Sequence, residues 1–290
     1  MATPRVDAGR IRDHVDRLGQ QHPPIDLASV DYTVRDPQRV RDRFAGVLQY
    51  MGRVEMEVER NVLELAILLP GASEVDETFY KGVWSPQEAH HGIVLDTLIQ
   101  RLGLPASEAN LTHVPARVRV LGVLAHLPAV QEIIRLLYYL TGAATEKSAM
   151  LAYQAMSHGL GQMGESAIKE TVVDAIKVQE PGHFAFYRLS ATEQLQSGAL
   201  APWQLHLARF LRSRSFGLVG AHSREQRADY GGVIVDLGLD DDLHRTLRDI
   251  VRVENHLLWA RDNGLPVPQY ALAAFRDAVQ LYRDRTARAA

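Results

Sequence analysis

Glu88 with His91 and Glu180 with His183 form two Glu-x-x-His steps, and between them lies a helical stretch with an isolated Glu146. Residues three apart share one face of a helix, so each step can aim a carboxylate and an imidazole in the same direction. A fold that turns those faces inward buries several charged groups together, which is rare unless they are paired or bound to a metal. One Glu-x-x-His alone is weak evidence, since chance would supply roughly one in a chain of this composition. Two steps plus a third carboxylate match the di-metal sites of four-helix bundles. There, one Glu from each of two helices joins a Glu-x-x-His from each of the other two. For the remaining ligand, the segment VEMEVERNVLEL offers Glu55, Glu57, Glu59 and Glu64. On one continuous helix turning about 100° per residue, Glu57 and Glu64 fall opposite the Leu48/Val58/Val62/Leu69 stripe. Glu55 and Glu59 fall within or beside it.

The chain of 290 residues has no cysteine, which excludes disulfides, thiolate catalysis, iron–sulfur clusters and cysteine zinc sites. Any metal must sit on His and carboxylates, a donor set that suits iron or manganese and could also take zinc. The His-Glu-x-x-His motif of zinc hydrolases does not occur. A net charge of -3 gives no global signal for nucleic acid. The opening MATPRVDAGRIRDHVDRL carries charges throughout, so neither a secretory signal nor an anchor is expected, and no stretch has the apolar length of a membrane span. These features predict a cytoplasmic protein.

Apolar residues repeat at three and four along most of the chain, and runs able to build a sheet are absent. The spacing predicts an all-α protein in one domain spanning 1–290. It comprises an N-terminal helix and polar segment over 1–30, a four-helix core over 37–196, and accessory helices over 197–290. Within the core, one long helix runs from Pro37 to Pro70, and the next starts at Ser85 as N-cap with Pro86 in its first turn. A third runs from Pro128 to Leu160 and a fourth from Glu165 to Gln196. Short helices are expected over 105–127, and further helices over 201–213, 239–262 and 267–285. The stretch 216–235 reads as a loop with one turn of helix, and Val233 to Val235 as its only strand-like run.

At these residues the chain resembles the acyl-ACP desaturase family of ferritin-like di-iron enzymes, particularly its actinobacterial branch. WSPQEAHHG from Trp84 is similar to the family's WTAEENRHG, and TEKSAMLAYQ from Thr145 to QERATxxSH. IKVQEPGHFAFYR from Ile176 is similar to IAADENLHMxFYR, and VERNVL from Val58 resembles TEDNLP. The resemblance implies a ferritin-like four-helix bundle with Glu59, Glu88, His91, Glu146, Glu180 and His183 as ligands of two iron ions, or of a manganese–iron pair. Through the VERNVL match it favours Glu59 over Glu55. Glu59 and His91 would hold one ion and Glu180 and His183 the other, with Glu88 and Glu146 bridging. It further implies O2 as co-substrate, a ferredoxin-type electron donor, a homodimer, and desaturation or hydroxylation of an acyl or aminoacyl group. That group would be tethered to acyl carrier protein or CoA and lie in a bent apolar tunnel.

The chain also departs from the pattern. Gln87 and Gln179 stand where the family has carboxylates beside the ligands, Ala149 where it has Thr, and Ala89-His90 where it has Asn-Arg. Amides accept from an imidazole N–H without raising its basicity as a carboxylate would. Pro181-Gly182 inside the second step predicts a bulge or kink beside the metals. The altered surroundings leave two other readings: an N-oxygenase or related oxidase of a free small molecule, and a non-catalytic metal- or carrier-binding protein. Arg35, Arg39, Arg41 and Arg43, with Arg209, Arg212 and Arg214, form basic patches that could meet an acidic carrier.

Overall fold

The computed structural model describes residues 6–214, 216–259 and 267–289, and among them there is no β-strand. The chain is all-α. Helix α1 (Ala8–Gln21) starts on Asp7, whose carboxylate accepts from Arg10 N–H, and α2 (Pro37–Met56) starts on Asp36 with Pro37 in its first turn. The long helix expected from Pro37 to Pro70 is broken at Glu57, after which α3 (Val58–Leu68) continues.

A capping box of Ser73 and Asp76 starts α4 (Glu74–Glu77), which runs through a π-helical stretch, Thr78–Trp84, into α5 (Ser85–Arg101). Ser85 is therefore inside a continuous helix rather than its cap. The π-helical stretch lies just before Pro86, where the ring blocks regular α-helical bonding. Helix α6 (Ala116–Ala125) is the one helix in the 105–127 connection, and α7 (Pro128–Met163) is the longest of the described helices.

The fourth segment is not one helix either. It comprises α8 (Ser166–Ile168), a π-helical stretch Lys169–Val173, α9 (Asp174–Lys177), and, after a turn at Val178-Gln179, α10 (Glu180–Gln196). The kink expected from Pro181 is this turn. Because α10 starts at Glu180, Pro181 lies in its first turn, where no helical N–H is needed. Gly182 gives α1 room to approach: a Cβ there would lie 2.3 Å from a Leu18 methyl. The Gly182 carbonyl lies 2.9 Å from His14 Nε2.

Helices α11 (Pro202–Arg214), α12 (Arg224–Asp236), α13 (Leu243–Ile250), α14 (Arg252–Glu254) and α15 (Gln269–Ala289) follow, with π-helical Asn255–Trp259 after α14. The supposed strand Val233 to Val235 belongs to α12, which a Ser223–Gln226 capping box starts. Helix α12 lies along α15 and α2, and its Tyr230, Val233 and Ile234 enter the same core as Phe44 and Leu95. The C-terminal helices thus help build the core rather than coating it.

Two apolar cores divide the interior, and each of the four long segments crosses from one to the other. Segment α2–α3 passes from Phe44 and Leu48 in the first core to Leu65 in the second, and α8–α10 passes from Val172 and Ile176 in the first to Phe186 in the second. The other two run the opposite way: α4–α5 from Phe79 to Leu95, and α7 from Leu140 to Tyr153. The order is therefore up, down, down, up. The connection from α5 to α7 must traverse the length of the bundle, and it carries α6 across α3 and α7.

Candidate metal centre

The crossing points of the four segments coincide with the charged residues. Glu55 lies near the end of α2, Glu88 and His91 in the first turns of α5, Glu146 midway along α7, and Glu180 and His183 at the start of α10. All six are buried. They form two groups that could each hold a metal ion: Glu55, Glu88 and His91 in one; Glu88, Glu146, Glu180 and His183 in the other.

His91 Nδ1 is 3.4 Å from Glu180 Oε1, 3.8 Å from Glu55 Oε2 and 3.9 Å from Glu88 Oε1. His183 Nδ1 is 2.9 Å from Glu88 Oε1, 3.9 Å from Glu146 Oε2 and 4.0 Å from Glu180 Oε2. Two donors about 2.1 Å from a shared ion lie about 3 to 4 Å apart over ordinary coordination angles, so the spacing fits. Glu88 and Glu180 face both imidazoles, Glu55 faces His91, and Glu146 faces His183. Glu180 rather than Glu146 is thus the second carboxylate that faces both imidazoles, although Glu88 alone belongs to both groups.

Glu59 is not at the site. It is exposed on the first turn of α3, and Glu55 takes the place expected of it. The interruption at Glu57 resets the helical phase, so residues four apart no longer share a face. Glu57, expected opposite the apolar stripe, is itself buried. Its carboxylate takes Arg60 at 2.8 Å and Arg53 at 3.3 Å and accepts from Asn110 N–H, which pins the break.

Gln87 and Gln179 hold the imidazoles crosswise. Gln179 Oε1 lies 2.7 Å from His91 Nε2, and Gln87 Oε1 lies 2.6 Å from His183 Nε2. Each amide nitrogen donates to a backbone carbonyl, Gln179 to Pro23 at 2.8 Å and Gln87 to His22. These carbonyls fix the amides so that each Oε1 must accept an Nε2–H, and the Nδ1 lone pairs then face the carboxylates. Glu88 Oε1, Glu180 Oε1 and both Nδ1 atoms are buried without a hydrogen-bond partner. A lone pair set 2.9 Å from a carboxylate oxygen in a buried site needs either a shared proton or a metal ion between the two atoms.

Burial, reinforced by the neighbouring glutamates, pushes the carboxyls of Glu88 and Glu180 well above the usual range. Burial also raises Glu146 to about 8. Glu55 is buried too, but contacts with Glu88, His91 and Tyr153 outweigh the burial and hold it at about 2. Burial lowers His183 to about 3, so its imidazole is neutral and free to ligate. Four carboxylates would balance the charge of two divalent ions.

The cluster opens into a cavity of about 670 Å³ whose wall includes Glu55, Glu88, Glu146 and Glu180 among mainly apolar residues such as Ile133, Leu137 and Leu207. A pocket of about 50 Å³, reaching to Tyr50, Ala152 and Val233, lies beyond Glu55. The two share Val54, Glu55, Thr145, Ala149 and Val219 as a common wall. Ser148 points away and pairs with Tyr230 at 2.7 Å. Of the basic patches, Arg212 is buried against Glu254 at 2.8 Å, and Arg41 donates to the Leu102 carbonyl.

One residue that the sequence marks only as a cavity-lining or core aromatic joins the site. Tyr153 donates to Glu55 Oε1 at 2.6 Å. Its position seven residues after Glu146, two turns along the same helix face, was the available signal. Comparison of the chain with protein-family models, curated proteins and solved structures gave no match.

Proposed function

We propose that this protein is an O2-dependent non-haem di-iron oxidase that desaturates or hydroxylates an acyl chain, on a ferritin-like bundle with one long crossover. The observation that carries this reading is that the same four glutamates form the buried cluster and line the large apolar cavity. A metal site built only for structure has no need of such a space, whereas an oxidase needs a dry slot that brings unreactive C–H bonds to the metals.

Bound iron would supply the electron transfer and O2 activation that protein side chains cannot. The chain's own residues do the rest. Glu55 with His91, and Glu146 with His183, would each hold an ion, and Glu88 and Glu180 face both imidazoles. Gln87 and Gln179 fix the imidazole tautomers. Tyr153 keeps a proton on Glu55 Oε1's side of the site. The apolar wall positions the chain and excludes water. In a desaturation, the substrate gives up two hydrogens, an external donor, such as a ferredoxin-type protein, supplies two electrons, and solvent supplies two protons. O2 leaves as two waters. The head of the substrate, a CoA or carrier-protein thioester, would stay at the cavity mouth.

The test is metal stoichiometry after anaerobic loading with Fe(II), then O2 uptake and mass spectrometry with acyl thioesters and a free amine. Two irons per chain, with loss of two hydrogens or gain of one oxygen on an acyl substrate, support the reading. Oxidation of the free amine alone would assign the site to a small-molecule oxidase. Iron that fails to consume O2 would remove the redox function altogether.

A further inference from the structure

The mouth of the large cavity is built from two helices that leave their apolar sides in solvent. Leu121 and Leu124 of α6, with Leu207 and Leu211 of α11, line the cavity and are also exposed, which places them at its rim. Five larger exposures extend that rim outward. Val120, Val123 and Leu127 lie on or just after α6, and Trp203 and Phe210 lie on α11; Val123 is 73% exposed and Phe210 55%. Apolar side chains of this size, gathered around an opening, mark an interaction surface.

The charge of the two segments is one-sided. No Asp or Glu occurs within 109–131 or 194–224, although the chain as a whole carries a net charge of -3. Arg117, Arg119 and Arg214 are exposed there, and the Arg214 guanidinium lies 5.4 Å from the centre of the Phe210 ring.

We infer that α6 and α11 seat the protein on an anionic lipid bilayer and set the cavity mouth against it. Aromatic and aliphatic side chains beside arginines, without acidic residues, are the composition of a helix that lies in a membrane interface. Leu121, Leu124, Leu207 and Leu211 continue the apolar rim into the cavity wall, with Arg117 beside them, so a chain leaving the bilayer would have an apolar path into the protein. A second copy fits this face poorly. A two-fold interface would set Arg117, Arg119 and Arg214 against their own equivalents, with no acidic residue to answer them. The inference meets the proposed oxidase at one point: a long-chain CoA thioester is an amphiphile that dwells in such a surface. It does not depend on metal or turnover.

Flotation of the metal-free full chain with vesicles tests it. One set of vesicles is phosphatidylcholine alone, and the other is phosphatidylcholine with phosphatidylglycerol. The protein should float with the anionic vesicles and be released by high salt. Val123→Glu with Phe210→Glu should lower the bound fraction about tenfold at unchanged helicity. Arg119→Glu with Arg214→Glu should abolish the preference for anionic lipid. Failure of the unaltered protein to float, or flotation of the Val123/Phe210 variant to the same extent, overturns the inference. So does a dimer, or a complex with acyl carrier protein, that this variant dissolves while vesicles are ignored. Because flotation needs no iron, a negative result there leaves the oxidase reading standing, and a failed oxidase assay leaves the docking surface standing.

Discussion

Tyr153 and Glu55 are joined across the bundle by a 2.6 Å hydrogen bond from the phenol to a carboxylate oxygen, one on α7 and the other on α2. Burial and the nearby glutamates raise the phenol well above its usual range, so it remains a donor at any working pH. Tyr153→Phe leaves Glu55 Oε1 buried without its partner and should destabilise the protein by about 1–3 kcal/mol. Chemical denaturation of the metal-free forms measures this, and an unchanged midpoint would show that Glu55 finds another donor.

Glu55→Ala and Glu59→Ala separate the two choices for the α2–α3 ligand. Loss of Glu55 should remove about one ion per chain under limiting Fe(II), because His91 would keep only shared carboxylates. Loss of exposed Glu59 should leave the metal content as it was. Elemental analysis of the two variants decides between them.

Glu146 is raised from 4.5 to about 8 in the fold, so the metal-free protein binds a proton there that the unfolded chain has released above pH 4.5. Its contribution to stability is fully present below about 4.5 and is lost as pH rises through about 8. Burial of His183, lowered to about 3, works the other way below pH 6.5, but the raised carboxyls of Glu88 and Glu180 add to Glu146, so the metal-free protein should unfold more readily at pH 8 than at pH 5, and metal loading should reverse the trend by replacing protons. Thermal unfolding with and without metal across this range is the measurement. A metal-free protein equally stable at both ends would contradict the shift.

Ala149 lies in the wall shared by the cavity and the pocket beyond it. Ala149→Leu should fill space at this wall and shorten the room for a chain passing it. Binding of a long-chain fluorescent fatty acyl probe should fall about tenfold, with a short-chain probe little affected. Equal losses for both lengths would mean that the chain does not pass Ala149.

Gln179→Glu would set a carboxylate against the Pro23 carbonyl, where the amide now donates at 2.8 Å. The stretch around residues 22–24 should loosen, with faster backbone hydrogen exchange there, even if the imidazole contact survives. Unchanged exchange would mean that this amide is not what holds the segment.

The helical class and five of the six residues of the buried cluster were legible, the two Glu-x-x-His pairs because three-residue spacing reports which side chains share a face. Glu55 was not resolved from Glu59, because the decision depends on the break at Glu57. That break is held by Arg53, Arg60 and the backbone of Asn110, and the last lies far along the chain. The same limit hid the reason for Gln87 and Gln179, which read as losses of carboxylate until the carbonyls of His22 and Pro23 showed why an amide belongs there. The stretch 216–235, read as a loop with one turn of helix, holds α12. Gly231 lets α15 approach: a Cβ there would lie 2.0 Å from the Ala278 carbonyl oxygen.

Since every one of the four long segments is split between the two apolar cores, neither core corresponds to a continuous stretch of chain. Cutting between α5 and α7 would leave each piece with part of both cores and neither with all six residues of the buried cluster. Both cores have to close around the seam for those six side chains to converge, so a metal held there would report on the assembled chain as a whole.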